Sequence, residues 1–202
     1  MMVSYGMVID LKRCVGCGAC ILACRAENGT ARGVLWARVL YGEVGRYPNV
    51  RRWFLPLLCM HCKEPLCEKV CPTGATSRRQ DGIVVIDYDK CVGCRYCMTV
   101  CPYEARFVNK GALYFEDYGP TPYEKLQSSK HQLNVVEKCN FCIERVTQGI
   151  EPACVSTCMT RARIFGDLDD PNSEISKILN SRSSFRLLPE LGTEPSVYYL
   201  PP

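Results

Sequence analysis

Long apolar runs are missing from this chain. None of its 202 residues falls in an apolar stretch long enough to cross a bilayer, which excludes a transmembrane helix of its own. Met1–Arg13 holds neither a basic-then-apolar leader nor a twin-arginine pair. The expectation is a chain made as a soluble protein and carried by something else if it leaves the cytoplasm. Histidine is scarce, limited to His61 and His131. No Ser–His–Asp arrangement, P-loop or dinucleotide fingerprint is present, and Gly166-Asp167 and Gly192-Thr193 read as turns, not phosphate sites.

Cysteine is the residue in excess, with sixteen copies. They fall into four groups: Cys14, Cys17, Cys20, Cys24; then Cys59, Cys62, Cys67, Cys71; then Cys91, Cys94, Cys97, Cys101; and last Cys139, Cys142, Cys154, Cys158. The first and third groups have gaps of two, two and three residues and belong to an internal repeat. Ile9-Asp10-Leu11-Lys12-Arg13-Cys14-Val15-Gly16-Cys17 matches Ile86-Asp87-Tyr88-Asp89-Lys90-Cys91-Val92-Gly93-Cys94. In each copy a β-rich run precedes the first cysteine, Val8-Ile9 in one and Ile83–Ile86 in the other. Gly16 and Gly93 allow a tight wrap because they lack a Cβ.

Short apolar stretches after the third cysteines, Ile21-Leu22-Ala23 and Met98-Thr99-Val100, predict helices of one or two turns ending at the fourth. Pro72 and Pro102 follow Cys71 and Cys101 and should stop a helix there, while Cys24 and Cys158 have no such proline. Asp81-Gly82 before the run at Ile83 is a hairpin signal. Residues 111–130 read as an exposed loop. A helix capped by Asn172 or Ser173 is expected near Ile175, Ile178 and Leu179, and Leu187–Pro202 as an extended tail lying on a partner or on its own core.

The spacing points to iron–sulfur cubanes. Three thiolates at gaps of two surround one cluster, and the cysteine three residues on points the other way to a second cluster, as in two-cluster ferredoxins. Pairing the first group with the fourth and the second with the third uses every cysteine. Cluster 1 then takes Cys14, Cys17, Cys20 and Cys158, and cluster 2 takes Cys24, Cys139, Cys142 and Cys154. Cluster 3 takes Cys59, Cys62, Cys67 and Cys101, and cluster 4 takes Cys71, Cys91, Cys94 and Cys97. With four oxidised clusters the formal charge of +4 falls to about −4. The basic residues beside the cysteines (Lys12, Arg13, Arg25, Lys63, Lys69, Lys90, Arg95, Lys138, Arg145, Arg161, Arg163) then read as compensation of anionic clusters, not as a nucleic-acid face. Arg25 and Arg95 are expected to raise cluster potentials, and His61, between Cys59 and Cys62, either tunes its cluster or simply packs. Disulfides fit poorly with cysteines two residues apart, and zinc accounts for paired gaps but not for the third cysteine.

The pattern resembles the four-cluster iron–sulfur subunits of the molybdopterin oxidoreductase complexes, those acting on polysulfide, thiosulfate, arsenate and dimethyl sulfoxide among them. The resemblance spans Met7 to Leu200. Its most specific parts are Met7-Val8-Ile9-Asp10, Cys59-Met60-His61-Cys62, Cys71-Pro72-Thr73-Gly74-Ala75, Cys101-Pro102-Tyr103 and the ending Gly192–Leu200. It implies an α+β fold of two nested bacterial-ferredoxin-like modules, each holding two 4Fe–4S clusters, with loop-rich connections. The outer module would be 1–55 plus 131–170 and the inner one 56–130 with its loop 111–130. Residues 171–202 would form a helix and a docking tail. It further implies single-electron relay without catalysis in this chain, between a quinol-handling membrane subunit and a large molybdopterin catalytic subunit. Cluster 1 would lie nearest the catalytic partner and cluster 4 nearest the quinol. Some relatives replace the ligand matching Cys94 and hold a 3Fe–4S cluster; with Cys94 present, four 4Fe–4S clusters are expected. The family's habit places the complex on the outer face of the cytoplasmic membrane by co-export, with the cytoplasmic face as the alternative. A free polyferredoxin shuttle and a zinc-stabilised interaction module are the competing readings.

Overall fold

The computed structural model describes residues 3–202. Its first strand, β1 (Tyr5–Asp10), is almost wholly buried and is the middle of a three-stranded sheet. β8 (Arg163–Asp167) pairs with it antiparallel, Val8 opposite Ile164. β9 (Val197–Leu200) pairs with it parallel, Val8 opposite Tyr198. The tail thus lies on its own core over this strand, with Val197, Tyr199 and Leu200 fully buried and the Tyr199 hydroxyl donating to the Pro56 carbonyl at 2.8 Å.

Between these strands run α1 (Ala19–Asn28), the long hairpin β2 (Ala37–Arg46) and β3 (Asn49–Leu58), and the small hairpin β4 (Thr76–Arg78) and β5 (Val84–Ile86). One-turn helices α2 (Leu66–Lys69) and α3 (Tyr96–Thr99) stop just before Cys71 and Cys101. α1 instead runs past Cys24 to Asn28, longer than expected. Arg25 follows Cys24 where proline follows the other two, so nothing removes the donor that continues the helix. β6 (Phe107–Val108) pairs with β7 (Val136–Glu137), tying the segment after the third group to the segment before the fourth.

Residues 111–130 are more ordered than a plain loop. They hold a 3₁₀ turn at Glu116–Tyr118 and α4 (Pro122–Gln127). They close over the end of α1: Tyr114 Oη donates to the Thr30 carbonyl at 2.9 Å, Tyr123 Oη to the Ala26 carbonyl, and the Arg25 guanidinium lies over the Tyr114 ring. Composition concealed this, because exposed polar residues also suit a short helix that packs through Tyr123 and the stem of Gln127 against Gly29. α5 (Ile143–Val146) and α6 (Ala153–Ser156) flank the fourth group. α7 (Glu174–Ser181) starts at Ser173, whose hydroxyl accepts from the Ser176 N–H at 3.1 Å, a cap worth about 1 kcal/mol. It buries Ile175 against β8 and β1.

The main apolar core lies on one side of β1, and a smaller cluster of Val8, Ile164, Ile175 and Leu200 holds α7 on the other. The main core joins Met7 and Ile9 of β1, Trp36, Leu57, Met60 and Ile83 with buried cysteines from the first, second and fourth groups. Among the described residues no helix is long and apolar enough to cross a membrane.

Candidate metal centres

The four Cys-x-x-Cys loops share one backbone device. The residue before the second cysteine has positive φ in every loop: Gly16 at 68°, His61 at 43°, Gly93 at 68° and Phe141 at 56°. Glycine takes this conformation freely. A Cβ on Gly16 would sit 2.2 Å from the Phe54 ring, and one on Gly93 2.3 Å from the Asn134 carbonyl. For His61 and Phe141 it costs about 1 kcal/mol or more each. They stack on one another with ring centroids 3.7 Å apart, both essentially inaccessible to solvent. That contact holds the second-group loop against the fourth.

The thiols gather in fours. Cys14, Cys17, Cys20 and Cys158 line one small cavity, with Val39 and Pro56 from the long hairpin beside them. Cys71, Cys91, Cys94 and Cys97 line another. Burial raises the Cys24 thiol, and neighbouring Cys154 and Cys142 raise it further; Cys139 is raised by burial and then by Cys24, Cys154 and Cys142. Cys62 is pushed up to about 12 by burial and by Cys59, Cys67 and Cys101. In these neighbourhoods the last cysteine of each group lies beside thiols of another group, Cys158 by the first, Cys71 by the third, Cys24 by the fourth and Cys101 by the second. Cys59 also acts on Cys139, so the two interior sets adjoin where His61 meets Phe141.

Two thiols run the other way. Cys71 and Cys158 are lowered, because hydrogen bonds outweigh their partial burial. The Thr76 N–H donates to Cys71 Sγ at 3.5 Å and the Ala162 N–H to Cys158 Sγ at 3.3 Å. Thr73 and Thr160 hydroxyls lie 3.8 and 3.7 Å from the same sulfurs. The two cysteines have matching places, each the last of its group.

The sulfurs fit cubes better than single ions. Among the described residues no three Cys, His, Asp or Glu side chains converge on a single-ion site. Tetrahedral zinc would need its thiolates about 2.3 Å from one centre, whereas a cubane spreads one thiolate to each corner iron. Buried donors point to the same conclusion. The Val84 N–H donates to His61 Nδ1 at 3.1 Å, which leaves the ring proton on Nε2, buried and without a partner among the described residues. Burial, then Lys138 and Arg106, hold His61 well below the ordinary histidine range, so the ring is neutral. Arg106 Nη2 is likewise buried without a partner among the described residues, while the guanidinium hydrogen-bonds Cys97. Cluster sulfides are acceptors of the kind such donors lack. Four buried thiolates cannot coexist without a cation, so uptake of iron also expels protons.

Two buried arginines occupy the spaces between cysteine sets. Arg163 Nη1 reaches Met7 Sδ at 3.6 Å and Cys154 Sγ at 3.8 Å, while Nη2 reaches Cys20 Sγ at 3.6 Å. Arg106 Nη1 donates to Thr76 Oγ1 at 3.1 Å, and its charge lies beside Cys67, Cys97 and Cys59. Sequence reasoning looked to Arg25 and Arg95 for this work. Arg95 lines the cavity around Cys91 and Cys94 but is exposed, and Arg25 stacks on Tyr114. Arg106 was missed, though it stands five residues after Cys101 as Arg163 does after Cys158.

The sequence gives no role to His131, yet the structure does. Its Nδ1 pairs with Glu137 Oε1 at 2.9 Å and its Nε2 with the Asn28 carbonyl at 2.7 Å. Asn28 Nδ2 in turn points at Cys24 Sγ, 3.6 Å, and Cys142 Sγ, 3.8 Å.

The 4Fe–4S dicluster domain family matches the chain over residues 50–117 and again over 116–168, and the 4Fe–4S binding domain family over 7–27. A selenate reductase subunit of Mesobacillus selenatarsenatis is 45% identical over an alignment covering 98% of this chain and 72% of that protein. A putative dimethyl sulfoxide reductase iron–sulfur subunit of Halobacterium salinarum is 44% identical, covering 98% and 79%. The arsenate respiratory reductase iron–sulfur subunit of a Shewanella species is 35% identical, covering 96% and 95%. The chain belongs to the iron–sulfur subunits of molybdopterin reductase complexes. Its ferredoxin-like dicluster domains and sixteen cysteines fit four 4Fe–4S clusters, and its place in such complexes is that of an electron carrier.

Proposed function

We propose that this subunit relays single electrons through four 4Fe–4S clusters in the order 1, 2, 3, 4, between a molybdopterin catalytic subunit at the first and a quinol-linked membrane subunit at the last. The ligand sets are those given by the cysteine spacing, arranged in two nested modules. The observation that carries this reading is a gradient of exposure. Cys17 of the first set and Cys94 of the fourth are the two exposed cysteines, while all of the second set, Cys24, Cys139, Cys142 and Cys154, is buried; Cys59 of the third and Cys97 of the fourth are buried too, and the remaining cysteines are half-buried. Electrons can therefore enter and leave at the two ends, and the second set is the one closed off from water.

Each cluster supplies a site that takes up and gives back one electron. The chain does the rest. Its loops fix the thiolates, Arg163 and Arg106 place a positive charge between paired sets, and the His61–Phe141 stack closes the junction between the pairs. Export to the outer face of the membrane with the catalytic subunit is part of the same proposal. The test is anaerobic purification of the complex followed by metal analysis, with about sixteen irons per chain expected, and stepwise redox titration. The variant Cys94→Ser should then block reduction by quinol while leaving chemical reduction of clusters 1 to 3 intact. Equal quinol reduction in the variant overturns the order.

A further inference from the structure

The long hairpin of β2 and β3 outgrows its support. Near its root, Val39 and Pro56 face the cavity of Cys14, Cys17, Cys20 and Cys158, and Phe54 lies against Gly16 of the same loop. From Glu43 to Trp53 every residue is exposed. Val44, Tyr47 and Val50 are 55%, 93% and 44% exposed, a large apolar content for the outer half of a hairpin. A two-stranded ribbon of this kind is marginally stable in water, and with Val44 and Val50 on opposite faces its apolar side chains suit a cleft that encloses both.

The charge on the ribbon selects the partner. Arg46, Arg51 and Arg52 stand against one acidic residue, Glu43, which pairs with Arg52 at 2.8 Å. The remaining guanidiniums face solvent beside the apolar side chains. On the register of the strands, Tyr41, paired with Phe54, shares the face of Val39 and Pro56 and extends it outward. That face continues toward the exposed Val15 and Cys17 of the first loop. Whatever grips the ribbon is thereby brought over the open side of the first cysteine set.

We infer that residues 43–53 are the arm by which this subunit holds its catalytic partner, inserted into an apolar cleft of that protein rimmed by carboxylates. The inference rests on the relay proposed above and names the surface that makes its first junction. Apolar side chains supply the buried contact, and the arginines supply steering and register.

The experiment uses the holoprotein and the molybdopterin catalytic subunit of its complex, each purified anaerobically. The triple variant Arg46→Glu/Arg51→Glu/Arg52→Glu and, separately, Val44→Ser/Tyr47→Ser are compared with the wild type for binding by calorimetry at low and high salt. Iron content and the visible spectrum confirm that the variants carry their clusters. The charge reversal is expected to weaken binding at least a hundredfold at low salt, and the polar pair at least tenfold at both salts. Hydrogen exchange of the unaltered protein supplies a second reading, with amides 43–53 slowing at least tenfold in the complex. Binding within twofold of wild type in both variants, or amides that exchange equally fast in the complex, overturns the inference. So does a ribbon protected only by a second copy of this chain, seen as a wild-type dimer that the variants lose. If wild-type protein fails to bind the large subunit at all, the relay reading itself fails, which is a different result.

Discussion

Arg163 and Arg106 solve one problem in two halves of the molecule, and they come to it from opposite sides. Each stands five residues after the last cysteine of its group, Cys158 and Cys101. The fourth group corresponds to the second, however, and the first to the third. The place matching Arg163 in the other half is Thr76, and the place matching Arg106 is Gly29. Each pair of groups thus has two such places and fills one with arginine. Arg106 donates to Thr76, the residue at the matching place, which shows how little room the site has for a second guanidinium. Arg163 touches sulfurs of two sets and Met7, and its burial alone would lower its pKa, but Cys154 and Cys20 more than restore it. A pair of anionic cubes needs one buried cation between them, whichever group supplies it.

The largest expected effect tests whether the interior is the structural heart and the ends are appendages. Cys139 lies in the core cluster, while Cys94 is exposed on a loop. Cys139→Ser should lose more than one cluster and much of the folded population, since it strands three buried thiols and its core neighbours. Cys94→Ser should lose one iron or one cluster and little else. Iron counts and thermal unfolding decide it; equal losses in the two variants would erase the distinction between interior and end.

Next in size is the charge between sets. Arg163→Gln should lower the potentials of clusters 1 and 2 and leave 3 and 4 in place. Arg106→Gln should do the reverse. One charge at these distances contributes on the order of 1–2 kcal/mol, or roughly 50–100 mV for one electron. Potentiometry with electron paramagnetic resonance reads it. Lysine at either place should restore part of the shift, whereas a loss of geometry alone would not be mended by a charge. Raised or unmoved potentials in the glutamine variants defeat the comparison.

Much of this was legible in the chain. The cysteine groups, the hairpin at Asp81-Gly82, the helix stops at Pro72 and Pro102 and the Ser173 cap all follow from local rules, because each depends on neighbours within a few residues. The packing of 111–130 on α1 and the placing of β9 do not. They depend on partners far along the chain, as when Tyr199 reaches Pro56. The four loops illustrate the boundary well. Two advertise their left-handed residue as glycine, and two hide it as His61 and Phe141, whose strain is compensated by a stack that no local rule foresees. For the same reason the exposed Arg95 and the stacked Arg25, adjacent to cysteines in sequence, drew notice ahead of Arg106, whose burial between cysteines is visible only in space.

Smaller still is the expected effect at His61. Replacing it by phenylalanine keeps the stack and the core volume but removes the Nε2 donor, so cluster 3 should fall in potential by a few tens of millivolts, on the scale of one hydrogen bond of about 1 kcal/mol. Cluster 4 and the iron content should not change. A shift in cluster 4 alone would mean the ring serves a different set.

The smallest effect separates the halves by pH. His131 and Glu137 lie over the first and fourth groups, and Asn28 joins His131 to their sulfurs; the second and third groups have no such histidine. Burial acts to lower the His131 pKa, but the Glu137 carboxylate outweighs it and raises the pKa above the ordinary histidine value. A folded-state pKa above the unfolded one stabilises fully below about pH 6.5 and fades as pH rises through the folded value. The contribution is a few tenths to about 1 kcal/mol, since the histidine stands only part-way into the fold. Between pH 6 and 8.5, cluster loss from the first and fourth groups should quicken with rising pH, followed by their resonance signals. His131→Gln should flatten that dependence and leave the second and third groups as they were. An unchanged slope in the variant would assign the pH response to some other group.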